Sequence, residues 1–340
     1  MKIAVIGAGG WGTALAVLLG GNGHFVALWA RNPATVQELC ATRHNKRYLP
    51  GVTLPPNVDC TCDLAAATAG AAIIILAAPS HAVRAAAAAA APHVAAGAIV
   101  VSAAKGLEIG SLKRMSEVIA EEIPAAADRV VALSGPNHAE EVGARQPAAA
   151  VAASTSRQAA EAVQEALMTP YFRVYTNPDI VGVELGGALK NIIALGTGIG
   201  DGLGYGDNAK ATLMTRGLAE ITRLGVAMQA QPLTFAGLSG LGDLIATCTS
   251  RHSRNRRAGL ALAAGKPVGE IEGETGMVVE GVRSACAAYA LSRRLDVEMP
   301  ITAEIYRVLY AGASPREAVG RLMRRGRTHE LEEVAPHWEA

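Results

Sequence analysis

The sequence has few aromatic residues and no excess of charge of either sign. Its 340 residues include 3 Phe, 3 Trp and 7 Tyr, and 31 Lys and Arg stand against 30 Asp and Glu, a net charge of +1. This balance gives no overall attraction to nucleic acid or to an anionic membrane surface. Any recognition of an anion must therefore depend on a local group of residues.

Cysteines are also few, and they are scattered at positions 40, 60, 62, 248 and 286. They form no CxxC pair of the kind found in zinc or thioredoxin-like sites, so we predict no metal site and a reducing compartment. An apolar strand begins at residue 2, which leaves no room for a signal peptide. No apolar run is free enough of Gly, Pro and charge to span a bilayer. The sequence predicts a cytoplasmic protein without a membrane span.

A glycine-rich segment, GAGGWG at 7–12, directly follows the apolar run at 2–6. Gly7 permits a tight turn, Gly9 lets the backbone approach phosphate oxygens, and Gly12 lets the next helix pack closely on the strand. Gly10 is a further glycine of this segment, the predicted helix begins at Thr13, and a second strand-like run at 25–29 completes βαβ spacing. The pattern predicts a dinucleotide site, although a plain structural turn is the alternative in a chain with 37 glycines.

Arg31 follows the second strand, where dinucleotide sites usually place an Asp or Glu that binds the adenosine ribose. A guanidinium there is suited to a 2′-phosphate, so we expect NADP(H) to be preferred and NAD(H) to be possible. The alternative is a solvated arginine at a strand end.

The length and the residue pattern predict two domains. Strand-like runs at 71–76, 98–102, 129–133, 148–152 and 171–175 alternate with helical patterns at 83–91, at 111–122 and near Ala139. This alternation predicts a parallel, doubly wound sheet. Beyond about residue 180 only helical periodicity remains. We therefore predict an α/β Rossmann-type dinucleotide-binding domain at 1–180 and an all-α domain at 181–340.

Six glycines occupy alternate positions from 196 to 206. No strand precedes them, so a kinked helix end or a close helix–helix contact is favoured over a second phosphate-binding loop.

Three residues are candidates for proton chemistry. Lys190 lies in the apolar run 185–195, where burial would lower the pKa of the amine and suit it to act as a general base. The alternative is a lysine that snorkels from a helix edge. Lys105 follows a predicted strand and is either a site residue or an ordinary surface lysine. Asp243 either caps a helix or orients one of these amines.

The densest basic stretch, 251–257, has the sequence RHSRNRR. We interpret Ser253, Arg254 and Asn255 as a clamp for a phosphate group. Nucleic-acid contact is one alternative, but no aromatic residues for stacking are interspersed. A solvated helix face is the other alternative.

Several long segments occur in a characteristic order: GAGGWGTALA at 7–16, SGPNHAEEV at 134–142, ALKNIIALGTGIGDGLGYGDNAKA at 188–211, GLSGLGDLIATC at 237–248, SRN at 253–255 and VVEG at 278–281. With these segments the chain resembles the bacterial NAD(P)-dependent glycerol-3-phosphate dehydrogenases over nearly its full length.

The resemblance implies reversible reduction of dihydroxyacetone phosphate to sn-glycerol 3-phosphate, with Lys190 as the proton acceptor. It implies cofactor contacts at Trp11, Arg31, Lys105, Ala139, Arg254, Val278 and Glu280. It implies substrate contacts at Lys105, Gly135, Asn137, Asp243, Ser253, Arg254 and Asn255. Asn137 departs from the Ser or Thr usual in the family, although an amide can still bind a substrate oxygen. A homodimer, a role in phospholipid synthesis and a C-terminal domain like that of 6-phosphogluconate dehydrogenase are also implied.

Two other functions fit parts of the pattern. A related two-domain reductase of hydroxyacid or 6-phosphogluconate type would prefer a carboxylate-bearing substrate. A non-catalytic module that senses NADPH would bind the cofactor without consuming it, but it leaves Lys190 and the basic stretch unexplained.

Overall fold

The computed structural model describes residues 1–275, 278–327 and 329–330. Its strands are β1 (Lys2–Ile6), β2 (Phe25–Trp29), β3 (His44–Asn45), β4 (Leu49–Thr53), β5 (Val58–Thr61), β6 (Ile73–Leu76), β7 (Ile99–Ser102), β8 (Val130–Ser134), β9 (Ala148–Ala153) and β10 (Phe172–Asn177). Eight of them form one sheet in the order β10-β9-β8-β7-β6-β1-β2-β5, and β3 pairs with β4 in a separate hairpin.

Helices cover both faces of this sheet. They are α1 (Gly10–Gly21), α2 (Pro33–Thr42), α3 (Leu64–Thr68), α4 (Val83–Ala90), α5 (Met115–Glu122), α6 (Ala139–Gly143) and α7 (Arg157–Leu167). Successive residues of β1 point to opposite faces: Ile3 and Val5 belong to one apolar core, and Ala4 and Ile6 belong to another. The predicted Rossmann-type architecture is confirmed.

The prediction of a fully parallel sheet is wrong, because β8 and β9 pair antiparallel. A parallel crossover must carry the chain back along the whole strand. The helix between these strands, α6, has only 5 residues. At about 1.5 Å per residue it is shorter than a strand of five or six residues, which spans about 17–20 Å. The chain therefore returns along the sheet in the opposite direction.

The predicted helix at 111–122 begins later, at Met115. Leu112 has a left-handed backbone with φ of 61°, which interrupts a helix at that point. The backbone N–H of Arg114 donates to Glu117 Oε2 at 2.8 Å, and this capping contact fixes the first turn.

The rest of the described chain is helical: α8 (Ile180–Gly202), α9 (Asp207–Ala227), α10 (Pro232–Phe235), α11 (Asp243–Thr249), α12 (Arg254–Ala263), α13 (Val268–Thr275), α14 (Glu280–Arg294), α15 (Pro300–Tyr310) and α16 (Pro315–Met323). A π-helical turn, Leu238–Gly242, precedes α11. The expectation of a helical second half is confirmed, while the domain boundary at residue 180 stays a prediction.

Helix α8 is the centre of the helical half. Within the described ranges it is the one helix long and apolar enough to cross a bilayer, but 83% of its most apolar stretch is buried inside the protein. Its glycines permit close packing: a Cβ at Gly198 would overlap the carbonyl of Arg256, and one at Gly259 would overlap the carbonyl of Leu195. The predicted close helix–helix contact is confirmed, here between α8 and α12.

Candidate active site

The glycine-rich turn has the shape that the sequence predicts. Gly7 has a φ of 121°, and a Cβ there would lie 2.9 Å from the carbonyl oxygen of Ala77. A Cβ at Gly12 would overlap the carbonyl oxygen of Gly7, whereas a Cβ at Gly9 would meet nothing within 4 Å. Gly7 and Gly12 therefore serve close packing, and Gly9 faces open space beside the start of α1. Free backbone N–H groups at a helix start favour an anion, so this turn fits a dinucleotide pyrophosphate.

Two further features adjoin this turn. The indole Nε1 of Trp11 is buried and finds no acceptor within the described part of the chain. Ala139, the first residue of α6, lies 3.6 Å from where a Cβ of Gly10 would stand. The two predicted contact residues thus lie next to the turn, although they come from separate parts of the sequence.

Arg31 is exposed after β2. Its neighbour Asn32 caps α2 by accepting from the N–H of Ala34 at 2.9 Å. The described residues offer no carboxylate within ion-pair distance of Arg31, so its guanidinium is available to an anion at this edge of the sheet.

The three residues proposed for proton chemistry meet at one point. Asp243 Oδ2 accepts from Lys105 Nζ at 2.8 Å, and Asp243 Oδ1 accepts from Lys190 Nζ at 2.7 Å. Lys105 follows β7, Lys190 lies on α8, and Asp243 is the first residue of α11. One carboxylate therefore bridges two ammonium groups across the sheet and the helical half.

Asp243 does not cap α11 with its side chain. The residue before the helix is Gly242, with no side-chain cap, and the carboxylate points to the lysines instead. Asp243 is 2% exposed and Lys190 is 5% exposed, so the pair is almost completely shielded from solvent. The snorkelling alternative for Lys190 is therefore wrong, and the predicted burial is confirmed.

The pKa of Lys190 is lowered to about 8, mainly because burial disfavours the ammonium; Asp243 opposes this effect, and the nearby charge of Lys105 adds to it. An amine with this pKa is present in both protonation states near neutral pH. It can therefore donate a proton in one direction of a reaction and accept one in the other.

Two further residues bind these lysines: Thr247, which the sequence did not predict as a site residue, and Gly135, which it did. Thr247 accepts a hydrogen bond from Lys190 Nζ, and its own hydroxyl donates to the carbonyl of Asp243 at 2.6 Å. The carbonyl of Gly135 accepts from Lys105 Nζ at 2.7 Å. The sequence signal for Thr247 is its position four residues after Asp243 on the same helix.

Asn137 follows β8 with half of its amide in use. Its Nδ2 donates to the carbonyl of Ala149 at 2.7 Å, and its Oδ1 is buried without a partner among the described residues. Buried polar atoms are normally hydrogen-bonded. The free Oδ1 is therefore an acceptor suited to a substrate hydroxyl.

The basic stretch divides into separate roles. Ser253 is buried and caps α12 by accepting from the N–H of Arg256 at 3.2 Å. Arg256 is occupied by an ion pair with Asp201 at 2.7 Å. Arg254 is exposed, and its Nη1 donates to the carbonyl of Val278 at 3.4 Å. The exposed guanidinium of Arg254 is therefore accessible to a phosphate.

Asn255 is committed to protein contacts. Its Nδ2 donates to Asn191 Oδ1 at 2.7 Å, and its Oδ1 accepts from the N–H of Gly281 at 2.9 Å. Asn191 Nδ2 in turn reaches the carbonyl of Lys105 at 3.4 Å. The sequence did not single out Asn191, which stands beside Lys190 on α8.

A cleft of about 790 Å³ opens beside Asn137 and Ser253. The rings of His138 and His252 stand on it with centroids 6.2 Å apart. Burial lowers the pKa of His138. Over the described ranges, no group of three or more His, Cys, Asp or Glu side chains could hold a metal ion.

Comparison with known proteins agrees with this geometry. The chain matches the family description "NAD-dependent glycerol-3-phosphate dehydrogenase N-terminus" over residues 2–160 and its C-terminus counterpart over residues 179–320. It is 60% identical to Glycerol-3-phosphate dehydrogenase [NAD(P)+] of Desulfitobacterium hafniense over 98% of this chain and 94% of the relative. It is 57% identical to the protein of the same name from Pelotomaculum thermopropionicum over 98% and 96%.

A solved structure gives the same result. The crystal structure of glycerol-3-phosphate dehydrogenase from Coxiella burnetii superposes with a TM-score of 0.91 at 39% identity, covering 95% of this chain and 99% of that one. Both halves of the fold are therefore shared with a dehydrogenase. The chain belongs to the NAD-dependent glycerol-3-phosphate dehydrogenase family.

Proposed function

We propose that the protein catalyses the reversible, NAD(P)H-dependent reduction of dihydroxyacetone phosphate to sn-glycerol 3-phosphate. The observation that carries the proposal is the Lys105–Asp243–Lys190 cluster, in which a buried amine with a pKa of about 8 shares a carboxylate with a second amine. This cluster supplies the proton that a carbonyl reduction requires.

The nicotinamide cofactor supplies or accepts the hydride when it is bound. In reduction, the ammonium of Lys190 donates a proton to the carbonyl oxygen. In oxidation, its neutral amine accepts the hydroxyl proton. Lys105, held by Asp243 and by the carbonyl of Gly135, polarises the carbonyl oxygen. Asp243 orients both amines.

The phosphate end of the substrate is assigned to Arg254, whose exposed guanidinium suits a phosphate oxygen pair. Ser253 and Asn255 support it by fixing the start of α12, and Gly135 and Asn137 hold the hydroxyl end. This placement is supported by the free Oδ1 of Asn137. It puts the reacting carbon between Lys105 and Lys190.

The cofactor is assigned to the turn of Gly7, Gly9, Gly10 and Gly12, with further contacts from Trp11, Arg31, Lys105, Ala139, Arg254, Val278 and Glu280. NADP(H) is the preferred form because Arg31, which has no carboxylate partner among the described residues, is suited to bind the 2′-phosphate. We further propose that the protein is a cytoplasmic homodimer that supplies glycerol 3-phosphate for phospholipid synthesis.

The test follows the absorbance of the reduced nicotinamide with the purified protein, each of NADPH and NADH, and three candidate substrates. Dihydroxyacetone phosphate is expected to be reduced, fastest with NADPH. Two competing reactions are measured beside it: reduction of a keto acid, the oxidised form of a hydroxyacid, and oxidation of 6-phosphogluconate with NADP+. Faster turnover of either competitor would assign the site to a carboxylate substrate, and cofactor binding without any turnover would assign it to a sensor.

A further inference from the structure

A pair of residues joins the sheet to the helical half away from the lysine cluster. Glu280 is the first residue of α14, and Ser80 follows β6. The Ser80 hydroxyl donates to Glu280 Oε2 at 2.6 Å, and the Ser80 N–H donates to Glu280 Oε1 at 3.1 Å. Ser80 is 3% exposed. Both carboxylate oxygens are therefore held by one residue of the other half.

This Ser80–Glu280 contact rests on the turn that carries Lys105. A Cβ at Gly106 would lie 2.6 Å from the Cβ of Ser80 and 3.1 Å from Glu280 Oε2. Glycine is required there for the contact to close. A movement of Ser80 or Glu280 would therefore displace Gly106, the residue next to Lys105.

From Glu280 the hydrogen bonds continue through the helical half and return to the same turn. The N–H of Gly281 donates to Asn255, Asn255 donates to Asn191, and Asn191 donates to the carbonyl of Lys105. The side-chain amides of Asn255 and Asn191 each use both their oxygen and their nitrogen in these bonds. Displacing one member leaves a buried polar group unpaired, so the members hold their positions together.

We call this closed set of contacts, from Ser80 through Glu280, Gly281, Asn255 and Asn191 back to the turn of Lys105, the ring. Its position in the sheet connects it to the proposed cofactor side. The strand order changes direction between β1 and β6, and open α/β sheets bind their ligands at such a point, beyond the carboxyl ends of the strands. Ser80 lies beyond the end of β6, whereas Asn255 adjoins Arg254 at the opposite end of the ring. The ring thus runs from the proposed cofactor side to the proposed phosphate clamp.

We propose that Ser80 is a positioning residue that, through Glu280, couples binding of the nicotinamide cofactor to binding of the phosphate substrate. The inference rests on the proposed function. By holding Glu280 it sets the start of α14, and through Gly281 and Asn255 it sets the clamp. Cofactor binding that orders one end of the ring then favours substrate at the other end.

The test measures the Kd of NADPH by fluorescence with and without saturating sn-glycerol 3-phosphate. Both molecules are reduced, so no turnover occurs. In the wild type we expect sn-glycerol 3-phosphate to tighten NADPH binding about fivefold or more, as site coupling commonly does. In Ser80→Ala the ratio of the two Kd values should fall to about one, and Ser80→Thr, which keeps the hydroxyl, should restore it.

Two further variants make the result specific. Gly106→Ala should abolish the coupling from the other side of the contact, without changing Ser80. Ser154→Ala is the matched control, because Ser154 is equally buried. Its hydroxyl donates to the carbonyl of Val130 at 2.7 Å and accepts from the N–H of Ser156 at 3.1 Å, and neither partner belongs to the Ser80–Glu280 contact. It should keep the wild-type ratio.

A folded Ser80→Ala or Gly106→Ala protein that keeps the wild-type ratio overturns the inference, as does a wild-type ratio of one. Neither result touches the proposed function, which is judged separately by whether the wild type reduces dihydroxyacetone phosphate.

Discussion

Asp243→Asn is the substitution that tests the electrostatics of the site most sharply. It keeps the shape of the side chain but removes the one anion between Lys105 and Lys190. A charge pair about 4 Å apart is worth about 1 kcal/mol in water and about 4 kcal/mol at an effective dielectric constant of 20. At 1.36 kcal/mol per pH unit, the pKa of Lys190 should fall by about 1 to 3 units from its value of about 8.

The substitution affects the two directions of the reaction differently. Reduction uses the ammonium, so at pH 7.5 its rate should fall by between about threefold and about 200-fold as the protonated fraction declines. Oxidation uses the neutral amine, so its rate should lose the rise toward pH 8 that the wild type shows. The assay is the pH dependence of kcat/KM in each direction between pH 6 and pH 9, where about 8 is the expected wild-type midpoint.

Asp201→Asn is the matched control, because Asp201 also bridges two cations, Lys210 at 2.8 Å and Arg256 at 2.7 Å, outside the site. Its pH profile should match the wild type. An Asp243→Asn enzyme whose pH-profile midpoint stays at or above the wild-type value would refute the reasoning. The carboxylate would then not be raising the pKa of Lys190.

Two more substitutions address the cofactor side. Arg31→Asp should raise the Kd of NADPH by about 10- to 100-fold, the usual range for losing hydrogen bonds to a charged group, and change the Kd of NADH by much less. Equal losses of affinity for both cofactors would remove the 2′-phosphate assignment. Arg157→Asp, at an exposed position on a helix, is the control. Gly9→Ala should leave the Tm unchanged, since its Cβ meets nothing within 4 Å, yet weaken binding of both cofactors. Gly200→Ala, also in open space but inside α8, should leave the cofactor affinity unchanged and raise the Tm slightly, because alanine favours a helix over glycine. Unchanged cofactor affinity in Gly9→Ala would place the pyrophosphate elsewhere.

Local sequence was sufficient for the features that depend on neighbouring residues. The turn at Gly7 and Gly12 follows from backbone sterics that any chain with this spacing must obey. The burial of Lys190 follows from the apolar residues on all sides of its helix. The two-part architecture follows from the change of periodicity near residue 180.

Features that depend on distant contacts could not be derived in this way. The antiparallel pairing of β8 with β9 is set by the short connection through α6, whose length the residue pattern does not reveal. Thr247 and Asn191 matter because α11 and α12 pack on α8. The position of Thr247 four residues after Asp243 predicts a contact between those two residues, but not that either of them reaches a lysine on α8.

The role of Ser80 illustrates the same limit. It lies 200 residues from Glu280 in the chain, and only the folded protein brings the two together. The sequence predicts, as one of two alternatives, that Asp243 orients one of the two lysines. The packing of β7, α8 and α11 brings both Lys105 and Lys190 to it.

The most direct test of the account is Lys190→Ala, measured for NADPH affinity and for turnover of dihydroxyacetone phosphate in the same preparation. Removing the proton carrier should leave the Kd of NADPH close to the wild-type value and lower kcat by at least about 100-fold, within the usual range for loss of a general acid–base group. Lys113→Ala, which removes an exposed lysine paired with Glu121, should leave both quantities unchanged. Near-normal turnover in Lys190→Ala would contradict the assignment of proton transfer to this amine.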